Sequence, residues 1–256
     1  MEVNYIPATC WCGASGYSEY FKGNWNNEVN ARLGKCTACG MIRTIEADSV
    51  SVLDYTEKGT YVEGLSLRHL NSLRTIYKFI QPRNLIDIGC SQGSIIQEVR
   101  KNHPEIEVYG IDLNKNAINN PVSPDIKIEF KNLAEVNEKF DNILALHVLE
   151  HIPDYRDFFS QIQRISKPGA IMYCALPNIN SYNARHSIQS WGALNPTQHS
   201  WHFSRQSFKN LFRQFLPDSE ILELKSSWIW PFSWKRFYRN MLFEGDQVEI
   251  VVRIKN

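Results

Sequence analysis

Between residues 84 and 178, five short apolar runs at 85–88, 108–111, 126–130, 143–146 and 170–176 alternate with stretches of helical length. Strands that are apolar on both faces and separated by crossovers of a dozen or more residues must lie parallel with helices on both sides, so this rhythm demands a parallel α/β sheet. Two later runs, near 221–224 and 248–254, add strands at the end of the chain. Residues 66–81 carry Leu67, Leu70, Leu73, Ile76, Tyr77 and Ile80 at helical spacing, and Pro82 stops the pattern. A second amphipathic helix is predicted over 204–215, with Ser204 as cap and Phe208, Leu211, Phe212 and Phe215 on one face.

The remaining composition narrows the class. With 43% hydrophobic and 21% charged residues, the 256-residue chain can bury a sizeable core and is neither disordered nor low in complexity. Its formal charge of +1 supplies no field for a polyanion, so no nucleic-acid partner is expected. No apolar run approaches the roughly 18 residues that span a bilayer, and residues 1–7 do not read as a signal peptide. A cytoplasmic protein is expected, and in that reducing setting clustered cysteines read as metal ligands, not disulfides.

Four of the six cysteines form the pairs Cys10-Trp11-Cys12 and Cys36-Thr37-Ala38-Cys39, with 23 residues between the pairs and each pair followed by glycine, Gly13 or Gly40. Two such knuckles suit one four-thiolate zinc ion, and a closed set of four thiolates leaves no position for chemistry, so its role is structural. Tyr17, Tyr20, Phe21 and Trp25 between them are too few for an independent core, which predicts that the ion supplies the missing stability.

The first strand runs into Asp87-Ile88-Gly89-Cys90-Ser91-Gln92-Gly93, with a helix from about Ser94, and the second ends at Asp112, 19 residues after Gly93. Glycines in such a turn admit a ligand close to the backbone, and an acid at the next strand end can accept both ribose hydroxyls. The dinucleotide fingerprint and the P-loop are both absent, which favours a nucleoside without phosphates. With D-I-G-C-S-Q-G, G-I-D-L-N and D-N-I-L-A-L-H-V-L-E-H-I-P-D in order, residues 84–178 resemble class I S-adenosylmethionine-dependent methyltransferases. The resemblance implies a Rossmann-like mixed sheet of seven strands. It implies that Asp87, Gly89, Cys90, Ser91, Gln92 and Gly93 border the methionine portion, that Asp112 with Leu113 holds the ribose, that Asn132 and Leu133 border adenine, and that His147 lines the pocket. Asn132 stands where many members carry an acid.

His147-Val148-Leu149-Glu150-His151 also matches an inverted zinc-protease pattern. That chemistry requires both histidines on one helical face, whereas His147 follows an apolar strand; for His151 a catalytic and a loop-structural role both stand. Cys90 and Cys174 read as packing. The cysteine segment ahead of this domain resembles a group of sugar methyltransferases, several acting in deoxysugar or surface-glycan pathways, and so implies a sugar-linked acceptor. The long connection 179–203 reads as a lid. Its end, Pro196 to Ser204, resembles the P-x-H-x-x-x-F-S segment of small-molecule methyltransferases, which implies His199 as the base, with His202 second.

The organisation expected is therefore a zinc segment over 1–45, a connecting helical segment over 46–83 and a methyltransferase domain over 84–256. The aromatic and basic run at 228–238 could pack internally or touch sugar, partner or membrane surface. The rival readings are an RNA or protein methyltransferase and a non-catalytic cofactor-binding subunit.

Overall fold

The computed structural model describes residues 9–48, 65–228 and 244–255. In chain order, β1 (Tyr17–Trp25), β2 (Val29–Cys36) and β3 (Ile42–Ala47) precede helix α1 (Leu67–Phe79). Strands and helices then alternate: β4 (Asn84–Ile88), α2 (Ser94–Asn102), β5 (Glu107–Asp112), α3 (Lys115–Asn119), β6 (Lys127–Phe130), β7 (Phe140–Leu146), α4 (Tyr155–Ile165) and β8 (Ser166–Pro177). The chain closes with α5 (Tyr182–His186), β9 (Trp201–His202), α6 (Arg205–Phe215), β10 (Glu220–Ser227) and β11 (Gln247–Arg253). Residues 1–8, 49–64 of the connecting segment, 229–243, which include all of the aromatic and basic run except Trp228, and 256 lie outside the described residues.

Seven strands form one sheet in the order β10-β11-β8-β7-β4-β5-β6. β4 to β8 run parallel, while β11 pairs antiparallel with both β8 and β10, so the sheet is mixed, as expected. Successive residues face opposite cores: Ile86, Ile143, Cys174 and Ile250 pack on α4 and α6, and Leu85, Leu144, Tyr173 and Val251 on α1 and α2. That period of two, with apolar residues at both phases, is why these strands read as continuous apolar runs. Both long-helix caps form: Ser66 accepts from the His69 amide and Ser204 from the Ser207 amide. Among the described residues no helix is long and apolar enough to cross a membrane.

Chain order reverses at β4, which lies between β5 and β7, and a ligand is expected beyond the carboxyl ends of strands at such a switch point.

The N-terminal residues differ from a bare knuckle. β1, β2 and β3 form an antiparallel sheet, completed by β9 from the lid through Ile42 opposite His202 and Arg43 opposite Trp201. Ala31, Leu33 and Ile42 on this sheet share a buried cluster with Ile179, Ala184, Trp191 and Leu194 of the lid. The core that the first 45 residues lack on their own is thus supplied from 150 residues later. Trp25 adds a hydrogen bond from its indole nitrogen to the Trp191 carbonyl at 3.0 Å.

Candidate active site

Backbone geometry builds the first half of the site. Gly89, Ser91 and Gly93 have φ of +71°, +50° and +84°, the left-handed region that glycine enters freely. A Cβ on Gly89 would stand 2.6 Å from Val148 Cγ2, and one on Gly93 2.3 Å from Ile126 Cδ1, so the turn closes tightly only with glycine at both places. The amides of Gly89 and Cys90 donate to the Ile111 carbonyl at 2.8 and 3.1 Å, which draws the turn against the end of β5. There the Ser91 amide donates to Asp112 Oδ2 and the Asn114 amide to Oδ1, both at 2.7 Å. Each carboxylate oxygen is fixed by one amide and keeps a lone pair for a further donor.

Burial raises the Asp112 carboxyl above its ordinary range, and those amides hold the rise back. Asp87 lies deeper still, and burial, followed by the adjacent Asp112 charge, pushes it up to about 8. A cation beside this pair would reverse that shift.

These residues line a cavity of about 1260 Å³ at the carboxyl ends of β4, β5 and β7. Pockets for one small ligand usually hold about 300 to 1,000 Å³, so there is room for a nucleoside and a second molecule. Asp87, Gly89, Cys90, Ser91, Asp112, Leu113, Asn132, Leu133 and His147 all reach its wall. Gln92 and Gly93 support it from behind: the Gln92 side-chain amide donates to the Asn120 carbonyl at 2.8 Å, and Gly93 caps α2. Asn132 caps the short turn Leu133–Glu135 by accepting from the Ala134 amide. Burial raises the Cys90 and Cys174 thiols well above their ordinary range, which leaves both unreactive, in keeping with packing.

The lid supplies the other half. His199 and His151 lie on the cavity wall with ring centroids 4.8 Å apart, near the buried carboxylate of Glu150. His199 Nδ1 is 3.0 Å from the Ala193 carbonyl and His151 Nδ1 3.0 Å from that of Gln198. A carbonyl can only accept, so both rings carry a proton on Nδ1 and present Nε2 as the basic nitrogen. Burial holds the His199 imidazole down, at about 3, so it is neutral near pH 7. Burial would raise the Glu150 carboxyl, yet His147 first, with His151 and His199, pulls it down to about 2. His147 Nδ1 is 3.3 Å from Glu150 Oε1.

His202 is placed differently. It is buried away from the cavity wall, with Nε2 3.0 Å from Thr44 Oγ1, while the Thr44 hydroxyl donates to the His199 carbonyl at 2.8 Å. Of the three histidines offered as bases, the geometry brings two to the cavity and turns His202 into a strut between β3 and the lid. The sequence pattern around Glu150 and Thr44 gives neither residue a functional signal of its own. Glu150 was visible only inside a protease pattern whose helix is absent, since Leu149–His151 is a single 3-10 turn.

The four N-terminal cysteines converge on one point. Cys10 and Cys39 sulfurs are 3.5 Å apart, Cys12 and Cys36 sulfurs 3.7 Å apart, and all four lie within 4.8 Å of one another. Thiolates about 2.3 Å from a central zinc stand about 3.8 Å apart at tetrahedral corners, so the arrangement fits that ion. Gly13 and Gly40 take φ of +87° and +74°, and their amides donate to the carbonyls of Cys10 and Cys36 at 2.8 and 2.9 Å, closing both knuckles. Trp11 packs on Phe215 of α6 with ring centroids 6.1 Å apart, which ties the knuckle to the main core.

Comparison with known proteins agrees with this architecture. A family described as a methyltransferase domain matches residues 64–215. The ubiquinone biosynthesis O-methyltransferase of Cereibacter sphaeroides is 30% identical over 107 residues, covering 38% of this chain and 42% of that protein. That of Alkalilimnicola ehrlichii is 26% identical over 129 residues, covering 44% and 51%. The chain thus spans about half the length, or less, of these curated relatives. Among solved structures, the plantazolicin methyltransferase BpumL in complex with SAH superposes with TM-score 0.54 at 15% identity, over 75% of this chain and 83% of that one. A putative S-adenosylmethionine-dependent methyltransferase from Listeria monocytogenes does so with TM-score 0.56 at 12% identity, over 74% and 99%. With the domain match covering more than half of its length and the seven-stranded sheet in place, the chain belongs to the class I methyltransferase family.

Proposed function

We propose that this protein transfers a methyl group from S-adenosylmethionine to an oxygen of a polar small molecule, of the sugar, sugar nucleotide or surface-polysaccharide precursor class. The observation that carries the reading is the continuity of one cavity from the amide-anchored Asp112 to the paired imidazoles of His151 and His199. Asp112 with Leu113 holds the ribose, Asn132 and Leu133 border the adenine, and Asp87 faces the cationic methionine portion. Polar groups of the lid, among them Asn183, Ser187, Ser190, Asn195 and Gln198, support a hydroxyl-rich acceptor. The names of the curated relatives favour oxygen over nitrogen or carbon.

Methyl transfer needs the acceptor oxygen in line with the methyl carbon; the new C–O bond forms as the C–S bond breaks, and sulfur keeps the electron pair. A protonated ether is a much stronger acid than imidazolium, so a neutral His199, even at about 3, can take the proton through Nε2 as the bond forms. The four cysteines hold a structural zinc ion, in keeping with the six free cysteines and a cytoplasmic setting.

Calorimetric titration of the folded protein with S-adenosylmethionine and S-adenosylhomocysteine is the test, followed by labelled methyl transfer to sugar nucleotides. Micromolar binding, transfer to a hydroxyl and about one cysteine-bound zinc per chain are expected. Failure to bind either nucleoside would overturn the reading.

A further inference from the structure

The carboxylate of Glu150 is an anomaly that methyl transfer by a histidine base leaves unexplained. Its residue is 1% exposed, and neither oxygen receives a hydrogen bond of good geometry, although His147 Nδ1 comes within 3.3 Å of Oε1. Leaving a buried carboxylate without donors is costly unless another positive partner is present. Glu150, His151 and His199 each offer one ligand atom, and the three atoms lie within 4.8 Å of one another.

The hydrogen bonds around the two rings fit a ligand set better than an acid–base pair. Both histidines donate from Nδ1 to a backbone carbonyl, Gln198 for His151 and Ala193 for His199, which makes both Nε2 atoms electron-pair donors. That outward donation to a carbonyl is the usual support of a metal-bound imidazole. The lid is also locked to the turn that carries the other ligands, because the Ser200 amide donates to the Glu150 carbonyl at 2.9 Å. Two imidazoles and a carboxylate are a donor set for zinc and its divalent neighbours, and three protein ligands leave a coordination position open.

We propose that Glu150, His151 and His199 form a second metal site, distinct from the four cysteines, which takes a divalent first-row cation and turns its open position to the cavity. Resting on the methyl-transfer reading, that position receives the acceptor hydroxyl. Coordination acidifies the O–H group, the proton passes to water, and the oxygen bonds to the methyl carbon as the C–S bond breaks. With the cation bound, Nε2 of His199 holds it and the proton leaves to water; only in the metal-free protein is that nitrogen available as the base.

Cobalt(II) titration of the full chain, followed by absorption spectroscopy, tests the site independently of activity. Cobalt at the cysteines gives sulfur-to-metal charge-transfer bands, whereas nitrogen and oxygen ligands give only weak visible bands. Two equivalents are expected in the unaltered protein, one of each kind. Glu150→Gln and His199→Ala should each weaken the second by more than about tenfold and leave the thiolate bands unchanged, which also reports that the variant is folded. Saturation at the thiolate site alone, or a second band that survives in both variants, would overturn the proposal. S-adenosylhomocysteine titrated into the same sample separates the two readings: binding without the second cobalt rejects only the metal site, and cobalt without nucleoside binding rejects only the methyltransferase activity.

Discussion

The two ends of the cavity are built by opposite means. At the Asp112 end the parts come from residues 87–133, joined by His147, and the shape is made by left-handed turn residues and amides aimed at one carboxylate. At the histidine end the parts come from Thr44, from Glu150 and His151 and from Ala193 to His202, brought together by hydrogen bonds that cross 47 to 158 residues of sequence. A site made from adjacent backbone turns is fixed once one strand pair forms, whereas a site assembled from distant segments depends on every element that holds them. The cofactor end should therefore tolerate changes at the lid end.

Four measurements would break or sharpen that contrast. The largest effect is expected from His199→Ala, which should lower kcat by about 10²-fold or more and leave S-adenosylhomocysteine affinity within error, as isothermal calorimetry beside steady-state assays would reveal. Asp112→Ala should do the reverse. Loss of the ribose acceptor and of two amide contacts should raise the nucleoside Kd by roughly 10- to 100-fold, at about 1.5 to 3 kcal/mol for a hydrogen bond to a charged group. An unchanged Kd would remove Asp112 from the site.

A pH series follows. Asp87 is protonated below about 8 in the free protein, and a sulfonium beside it favours the ionised form, so binding expels a proton and tightens as pH rises through that range. Between pH 7 and 9 the affinity for S-adenosylmethionine should gain up to about tenfold, more than that for S-adenosylhomocysteine, whose sulfur is uncharged. Asp87→Asn should flatten the slope; a slope equal for both nucleosides would place the cation elsewhere. The smallest effect is expected from Thr44→Val, which cuts the strut to His202 and to the His199 carbonyl and should lower kcat about fivefold, for roughly 1 kcal/mol, with rescue by Thr44→Ser.

The same contrast explains what could be read from the sequence. The runs that became β4 to β8, β10 and β11, the caps at Ser66 and Ser204, and the placement of Asp87, Gly89, Ser91 and Asp112 on the cavity wall all depend on short-range pattern, and they were legible. The sheet formed by residues 17–47 was not, because its buried face holds Ala31, Leu33 and Ile42 and finds its core only in Trp191 and Leu194. In the sequence His202 stands as the second choice of base after His199, three residues before it. Only the pairing of β9 with β3 shows that one ring faces the cavity and the other Thr44. The burial that lowers His199 to about 3 is equally a property of the packed lid.

The β3–β9 pair has a consequence for how this chain matures. Strand β3 pairs with β2 on one side and receives β9 on the other, although Ile42 and its partner His202 are separated by 160 residues. At about 5 to 20 residues per second, translation leaves that edge without its partner for roughly 8 to 30 s. An open edge is a template for foreign strands. The cysteine-rich segment is thus synthesised well before the strand that completes its sheet, so early closure of its four thiolates around an ion of the proposed kind would safeguard the nascent chain.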